Sequence, residues 1–519
     1  MSSATTGAAT KPATDGLLVA RSSARPTCVF GLVMVLVAYS IPLLLGLMQS
    51  GRVPNLLFED EAMYAVRVLD AYRGGDLANP YLVGHQHAPR FMPGFAERTI
   101  ALAARLLHVP PLTAIALSRV VIPLLIFTMM WLLARVMGLP PLAALLAGLV
   151  SVLAPSTRTA DHLHFLRYLR VVSPGANVLL LTIALYFWMR AYKKPTTAAA
   201  VLAGILTAAL FYTPPYYWIF LLAGAWVLTL ISPAPARRCF LIALAIAILL
   251  GAPALYNAIR LSRLPEVQQT LHRLDLMTLG RRPDPFVLRH FAIAIAAAAV
   301  LCFGRRRLAA NATFLLAFFV PGALLLLQNV VTNRRLQSDH WIECLIPVAA
   351  LAFTALLSGS VDAGRSPRLL SAAIGVLIAV ALTSQTVSYF QWKTMAERDP
   401  LYGVVAWLLE PRMPRTLAWL DAHTPPRSIV VTPFGDVLPM FTHNAVYFAG
   451  NAAQHVISDR ELQRRRDSAE QFDPAHPAPL PYPADYYLGL GERCAAPALP
   501  VLYRNPAEGA CVLDLRGQH

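Results

Sequence analysis

The sequence predicts an all-α polytopic membrane protein with about eleven transmembrane helices, followed by a small α/β domain. Hydrophobic residues make up 56% of the 519 residues and charged residues only 14%, whereas ordinary soluble domains carry roughly 25% charged residues. The apolar residues are concentrated in runs that approach the roughly 20 residues needed to cross a bilayer. After residue 389 the composition changes and becomes rich in Pro, Asp, Arg, His and Tyr.

The same composition excludes several other classes of protein. Too little polar surface remains to solvate a soluble enzyme of this size, and the apolar content excludes a disordered chain or a fibrous repeat. The formal net charge of +16 would suggest a nucleic-acid partner in a soluble protein. Here much of the excess lies in short clusters between apolar runs, where Lys and Arg mark cytoplasmic connections, so no nucleic-acid partner is expected.

The elements are expected in the following order. Residues 1–27 are rich in Ala, Thr and Ser and should form a disordered cytoplasmic tail. No small-residue cleavage site follows the first apolar run, so this run should remain as a transmembrane helix. The predicted spans, which together form a transmembrane domain over residues 28–388, are 28–48, 112–134, 140–157, 174–191, 197–213, 215–233, 238–256, 286–303, 309–329, 341–358 and 369–388.

The connections between these spans predict the orientation of the chain. The second, fourth, sixth, eighth and tenth connections are short, and basic residues lie in or beside each of them. These residues are Arg135; Arg190, Lys193 and Lys194; Arg237 and Arg238; Arg305, Arg306 and Arg307; and Arg365 and Arg368. Short connections with Lys and Arg stay in the cytoplasm. The N-terminus is therefore expected inside, and the odd-numbered connections and the segment after residue 389 outside.

The last segment, residues 389–519, is predicted to form an extracytoplasmic α/β domain. The expected elements are helices at 415–423 and 460–466, and strands at 427–432, 445–449, 486–490, 500–504 and 512–515. Cys494 and Cys511 both lie in this domain. They could form a disulfide if the domain faces an oxidising compartment.

The first outer connection, residues 49–111, is far longer than a connector requires, and long loops in compact proteins are usually functional or disordered. It contains three consecutive carboxylates, Glu59, Asp60 and Glu61, before an amphipathic stretch that ends at a Gly-Gly pair. One carboxylate is enough to cap a helix N-terminus. Three adjacent carboxylates repel one another, so they also indicate a general base, or a metal or cation site, at the membrane surface.

Short motifs in this connection form a recognisable pattern. They are Asp60-Glu61, Tyr64 and Ala65, Gly74-Gly75 and Asn79-Pro80. Together they resemble the first outer loop of the GT-C superfamily, polytopic glycosyltransferases that use polyprenyl-phosphate-linked sugars. The closest patterns are those of bacterial relatives of protein O-mannosyltransferases and of lipid A aminoarabinose transferases. The likeness continues at Arg119, Pro155, Arg158, Asp161 and residues 419–431.

The resemblance implies an inverting glycosyltransferase of a bacterial inner membrane. The donor would be a polyprenyl-phosphate sugar, and the acceptor a glycan, lipid or protein on the outer face. Asp60 matches the first acid of the family's Asp-Glu pair and is expected to be the base, with Glu61 or Glu59 orienting it or capping the helix. Asp161 would bind the acceptor or orient the base. Where these families often carry Lys-Pro-Pro-Leu, this chain reads Gly84 to Pro93 without a lysine.

Outer arginines are the candidate ligands of the donor phosphate, since a guanidinium can hold phosphate oxygens in a bidentate manner. Arg334 and Arg335 adjoin a span in the fifth outer connection, and Arg167 and Arg170 lie in the second. The alternative for the first pair is an anchor to lipid head groups. The alternative for the second is an interfacial helix whose arginines reach lipid phosphates.

Two further interpretations remain open at this stage. His85, His87, His162 and His164 are candidate ligands of a divalent metal, and the family contains members with and without one. The rival functions are a transporter or flippase of lipid-linked glycans and a non-catalytic scaffold with the same fold. A transporter predicts ionisable residues at mid-membrane depth, whereas the carboxylates here cluster in outer connections, which favours an enzyme.

Overall fold

The structure is a computed structural model of the chain. It describes residues 24–51, 53–54, 57, 60–85, 87–90, 92–153, 165–274, 278–283, 285–303, 310–336, 339–360, 366–398, 413–495 and 497–517. Most of the predicted cytoplasmic tail, residues 1–27, therefore lies outside the described residues. Its last four residues already belong to the first helix.

The described elements alternate long apolar helices with shorter helices and turns. Up to residue 398 they are α1 (Ala24–Ser50), α2 (Glu61–Tyr72), α3 (Phe95–Leu107), α4 (Pro111–Val136), α5 (Pro141–Leu153), a 3-10 turn (Arg167–Leu169), an irregular helical segment (Val171–Ala176), α6 (Asn177–Lys193), α7 (Thr197–Leu210), α8 (Pro215–Ile231), α9 (Ala234–Leu261), α10 (Pro265–Arg273), β1 (Thr278–Leu279), α11 (Pro285–Phe303), α12 (Ala310–Leu326), α13 (Gln328–Thr332), β2 (Arg334–Arg335), α14 (Asp339–Ser360) and α15 (Ser366–Arg398). The C-terminal domain is called the outer domain after its predicted location. Its elements are α16 (Pro414–His423), β3 (Ile429–Val431), α17 (Leu438–Phe441), β4 (Ala445–Val446), a 3-10 turn (Gly450–Gln454), α18 (Asp459–Gln471), β5 (Tyr486–Leu490), a 3-10 turn (Gly491–Cys494), β6 (Val501–Asn505) and β7 (Ala510–Asp514).

Seven helices of the described chain are long and apolar enough to cross a membrane, and they make this an integral multi-pass membrane protein. They are α1, α4, α6 with the irregular segment before it, α9, α11, α14 and α15. Four shorter apolar helices, α5, α7, α8 and α12, complete the set. Each of the eleven predicted spans thus coincides with an apolar helix, which confirms the predicted fold class, while the number of crossings remains a prediction.

Small residues allow the apolar helices to approach closely. The ring of Phe127 in α4 lies between Gly31 of α1 and Gly148 of α5, where added Cβ atoms would come within 2.1 Å and 2.7 Å of the ring. Between apolar helices in a membrane, packing of this kind replaces the hydrophobic driving force available in water. The packed unit of α1, α4 and α5 supports the segment from which the first outer loop emerges.

Two helices that the sequence does not predict, α3 and α10, lie in connections between the apolar helices. The first outer loop holds α3 after the predicted α2, and α3 ends at His108 in a left-handed conformation with φ 54°. The connection between α9 and α11 holds α10, with Val267 and Leu271 packed against Val456 of the outer domain. Both connections are therefore ordered structures in the described part of the chain.

The outer domain contains a five-stranded mixed sheet in the order β4-β3-β5-β7-β6. β3 runs parallel to β4 and β5, whereas β7 pairs antiparallel with β5 and β6. All five predicted strands and both predicted helices are present, which confirms the α/β prediction. Cys494 and Cys511 form a disulfide, and Glu508 accepts hydrogen bonds from the backbone N–H groups of Arg415 and Thr416 at the start of α16.

The outer domain is docked directly onto the first outer loop. The backbone N–H of Val446 in β4 donates to the carbonyl of Tyr81 at 2.9 Å, and His455 Nδ1 lies 2.9 Å from the carbonyl of Ala78. His85 Nε2 lies 3.0 Å from Glu461 Oε1 of α18. These contacts hold in place the first outer loop, which contains Asp60 and Glu61.

Candidate active site

Asp60 occupies the position before α2, but it does not cap the helix. Its backbone is helical (φ −77°, ψ −8°), and its side chain makes no capping hydrogen bond. The carboxylate forms an ion pair with the guanidinium of Arg170 instead. The capping alternative therefore does not account for Asp60. Glu59 lies outside the described residues.

The Asp60–Arg170 pair is partly open to solvent. The side chain of Asp60 is 30% exposed and that of Arg170 is 23% exposed. Arg170 lies between the 3-10 turn and the irregular segment, and its carbonyl accepts a 3.0 Å hydrogen bond from Gly175 N–H. Burial lowers the pKa of Arg170, but the charge and hydrogen bond of Asp60, together with the nearby Tyr64 and Glu343, raise the pKa overall, so this group remains a cation.

Glu61 has a different environment from its neighbour Asp60. Its Oε2 accepts hydrogen bonds from Leu57 N–H at 2.7 Å and from Arg119 Nη2 at 3.1 Å. Arg119 also donates to the carbonyl of Pro54 at 2.7 Å. Burial raises the pKa of Glu61, although Arg119 opposes this effect. Glu61 therefore holds the loop segment before α2 against α4.

Tyr64 lies one helical turn after Asp60 on α2. Burial and then the charge of Asp60 raise the pKa of the Tyr64 phenol, while Arg170 opposes the rise. The phenol therefore stays protonated across the physiological pH range and can donate a hydrogen bond close to the Asp60–Arg170 pair.

A second acidic centre adjoins the same arginines. Glu343 lies near the start of α14, and its Oε1 is 3.8 Å from Arg167 Nη1. The hydroxyl of Tyr217 donates to Glu343 Oε2 at 3.0 Å, and His340 Nδ1 lies 3.1 Å from the same oxygen. Arg167 and Arg170, two candidate phosphate ligands, are thus placed between the carboxylates of Asp60 and Glu343.

The other predicted site residues belong to other elements. Arg334 and Arg335 form β2, which pairs antiparallel with β1 through Leu279 and Thr278, and Arg334 is exposed. The Asn329 side chain braces this ribbon by donating to the carbonyls of residues 280 and 282 at 3.1 Å. Asp161 lies outside the described residues, so its predicted role remains a prediction.

The candidate metal ligands do not converge in the described part of the chain. His85 contacts Glu461 at the contact with the outer domain, and His87 is exposed. His162 and His164 lie outside the described residues. Among the residues that the structure does describe, no group of three or more His, Cys, Asp or Glu side chains is arranged to hold a metal ion.

Several site residues were not singled out by the sequence analysis. Glu343, His340 and Tyr217 come from α14 and α8, and each belonged to a predicted span or its edge. The signal that could have found them is their position at the outer end of an apolar span. Ionisable residues within such spans are rare and often functional. The pairing of Glu343 with Arg167 could not be deduced, because the two residues are distant in sequence.

Comparison with known proteins identifies the fold. No family model matches the sequence, and no curated protein matches it. The structure is similar to that of ArnT from Cupriavidus metallidurans in the apo state, with a TM-score of 0.54 and 14% identity over 95% of this chain and 98% of that chain. ArnT has also been solved bound to undecaprenyl phosphate.

Two further solved proteins share the architecture. The archaeal oligosaccharyltransferase AglB from Archaeoglobus fulgidus, in complex with an inhibitory peptide and a dolichol-phosphate, has a TM-score of 0.51 and 11% identity over 89% of this chain and 69% of that chain. The arabinofuranosyltransferase AftD from Mycobacteria has a TM-score of 0.50 and 16% identity over 93% of this chain, which spans 40% of AftD. All three are GT-C glycosyltransferases, so this chain has the GT-C fold.

Proposed function

We propose that this protein is a GT-C-type glycosyltransferase that moves a sugar from a polyprenyl-phosphate donor to an acceptor on the outer face of the membrane. The observation that carries the proposal is the partly exposed Asp60–Arg170 pair, set beside α4 and α14 in a GT-C fold. ArnT binds undecaprenyl phosphate and AglB binds dolichol-phosphate, which supports a lipid-linked donor for this chain. A glycan, a lipid or a protein remains the candidate acceptor.

The chemistry requires a base for the acceptor and cations for the leaving group. Asp60 accepts the proton of the acceptor hydroxyl, and the acceptor oxygen bonds to the anomeric carbon from the face opposite the phosphate. The bond from the anomeric carbon to the phosphate oxygen breaks, and its electron pair leaves with the polyprenyl phosphate. Because this single displacement inverts the anomeric carbon, the enzyme is proposed to be inverting.

Arginines stabilise the negative charge that grows on the phosphate as this bond breaks. Arg170 and Arg167 are proposed to bind the phosphate close to the base, because both lie at the carboxylate cluster. Arg334 and Arg335 are proposed to hold the same head group from the β1–β2 ribbon. Asp161 is proposed to bind the acceptor or orient the base. Glu61 is proposed to hold the start of α2 against α4.

The proposed orientation places the N-terminus in the cytoplasm and the outer domain outside a bacterial inner membrane. The disulfide between Cys494 and Cys511 supports this orientation, because disulfides persist in oxidising compartments. The basic residues of the short even-numbered connections support it independently.

The function is tested by mass analysis of envelope glycans, lipids and proteins from cells that lack the protein. Such cells are complemented with the wild-type chain, with Asp60→Asn, or with Asp514→Asn as a control for loss of an acid in the outer domain. We expect one sugar modification to disappear in the deletion and with Asp60→Asn, and to return with wild type and Asp514→Asn. Identical glycan profiles in all four strains would contradict the proposal.

A further inference from the structure

Within the described residues, three arginine–carboxylate pairs hold the first outer loop in place. The pairs differ in the solvent exposure of their side chains. Arg67–Glu97 and Arg119–Glu61 are enclosed, since no side chain among the four is more than 7% exposed. In Asp60–Arg170 the side chains are 30% and 23% exposed. The third pair is therefore the one that a ligand from outside the protein can reach.

The arginines of the enclosed pairs also donate hydrogen bonds to backbone carbonyls. Arg67 donates to the carbonyl of Pro93 at 3.1 Å in addition to Glu97, and Arg119 donates to the carbonyl of Pro54. Separating either arginine from its acid would break a buried ion pair, which is strongly unfavourable. These two pairs are permanent parts of the fold.

Arg170 can leave Asp60 at a smaller cost than the enclosed arginines could leave their partners. The carboxylate of Glu343 also acts electrostatically on Arg170, so the guanidinium keeps a compensating charge nearby. Neighbouring Arg167 already interacts with Glu343 at 3.8 Å. Together the four side chains, Asp60, Glu343, Arg167 and Arg170, carry two formal negative and two formal positive charges. Within this cluster, an arriving phosphate can therefore gain a guanidinium partner only if an arginine is withdrawn from an acid.

We infer that the donor phosphate replaces Asp60 as the ion-pair partner of Arg170. Asp60 therefore becomes available as a base only when the donor is bound. This inference rests on the proposed function and adds an order of events to it. Without donor, the carboxylate oxygen that would receive the acceptor proton is occupied by the guanidinium. With donor, the phosphate offers Arg170 bidentate acceptors, and the released carboxylate faces the acceptor hydroxyl. The ion pair thus prevents the base from acting on an incomplete site.

The exchange has a thermodynamic signature that a static phosphate site lacks. If Asp60 competes with the phosphate for Arg170, the binding-competent state is only partly populated, and affinity is reduced by that fraction. Asp60→Asn should then bind undecaprenyl phosphate more tightly, by about tenfold, which is within the usual range of coupling between sites. Arg170→Gln should bind it more weakly. In the Arg170→Gln background, Asp60→Asn should give little further gain.

The test is a double-mutant cycle of undecaprenyl phosphate binding to the full chain in lipid nanodiscs. Asp514→Asn, Arg516→Gln and their combination form the matched control, because this pair lies at the last strand of the outer domain. Monodispersity and thermal stability report folding of each variant, and Asp60→Ser replaces Asp60→Asn if the latter misfolds. The control variants should bind like wild type.

The outcomes separate the inference from the proposed function. A gain that depends on Arg170 supports the exchange. An equal gain in both backgrounds would show simple repulsion between Asp60 and phosphate and would overturn the exchange, as would no gain. In either of those cases the proposed donor class would stand. Absence of lipid phosphate binding by the wild-type chain would contradict the donor class and, with it, the exchange.

Discussion

Glu61 and Arg119 are 58 residues apart in the chain, yet they are joined by a 3.1 Å ion pair with almost no solvent exposure. This pair fixes the start of α2 against α4. It also places the adjacent Asp60 towards Arg170. Two consecutive carboxylates thus have separate tasks, because one is enclosed with structural partners and the other is accessible.

The first prediction concerns the stability of this enclosed pair. Glu61→Ala should destabilise the protein by about 3–5 kcal/mol, because removing one partner of a buried ion pair is strongly unfavourable. Asp60→Ala should have a much smaller effect, because its partner Arg170 is partly exposed. Thermal unfolding in detergent, followed by light scattering and fluorescence, measures both. Equal losses of stability for the two variants would contradict the distinction.

The second prediction concerns the base. Asp60→Asn keeps the shape of the side chain and removes its basicity, and loss of a general base typically slows a reaction by about 10²–10⁴-fold. We expect sugar transfer to fall by this factor in proteoliposomes, while the protein folds and still binds undecaprenyl phosphate. Asp514→Asn should transfer at the wild-type rate. Normal transfer by Asp60→Asn would move the role to Glu61 or Asp161.

The third prediction concerns topology. A single cysteine introduced at Asp76 or Asp459 should react with a membrane-impermeant maleimide added to intact spheroplasts, because both positions are expected outside. A cysteine at Lys194, in a short basic connection, should react only after the membrane is opened. Labelling in the reverse pattern would invert the proposed orientation.

Much of the architecture could be predicted because it depends on local patterns. Apolar runs specify the membrane helices. After residue 413, the alternation of apolar and polar residues and the turn residues specify the outer sheet. α10 was missed because it has only nine residues, and its apolar residues become informative only once Val456 of another domain packs on them.

The site was predictable only in part, for a related reason. Asp60 and Glu61 stand out as consecutive acids in a long outer connection, and Arg167 and Arg170 as outer arginines. That Asp60 pairs with Arg170, whereas Glu61 pairs with Arg119, depends on how α2 packs against α4. Likewise, Glu343 joins the cluster only through the packing of α14. No pattern within one segment contains this information.

The fourth prediction concerns pH and the docking of the outer domain. Burial raises the pKa of Glu461, but the hydrogen bonds and charges of His85 and Arg465 together lower the pKa overall. A carboxyl group whose pKa is lower in the folded state stabilises the fold above its unfolded pKa, about 4.3, and this contribution is lost as pH falls through the folded pKa. Wild type should therefore melt at a higher temperature than Glu461→Gln at pH 6, and the difference should shrink towards pH 3.

The control for this measurement is on the same helix. Glu470 pairs with Arg466, and both side chains are more than half exposed, so Glu470→Gln should change the melting temperature little at either pH. A Glu461→Gln variant whose deficit stayed constant from pH 6 to pH 3 would show that the carboxylate charge does not contribute to docking.

The fifth prediction concerns the paired arginines of the β1–β2 ribbon. If Arg334 and Arg335 hold the donor phosphate, replacing both with Gln should weaken donor binding and slow transfer together, since charge on that phosphate grows as the bond breaks. If they only anchor the ribbon to lipid head groups, the variant should insert less stably but turn over normally per folded molecule. We expect the first result, measured as transfer rate against donor concentration and normalised to folded protein.

The matched control is Arg460→Gln with Arg464→Gln, which removes two exposed arginines from α18 and should leave donor binding and transfer rate unchanged. Unchanged kinetics for the Arg334 and Arg335 variant would assign the phosphate to Arg167 and Arg170 alone, because these two already lie between Asp60 and Glu343.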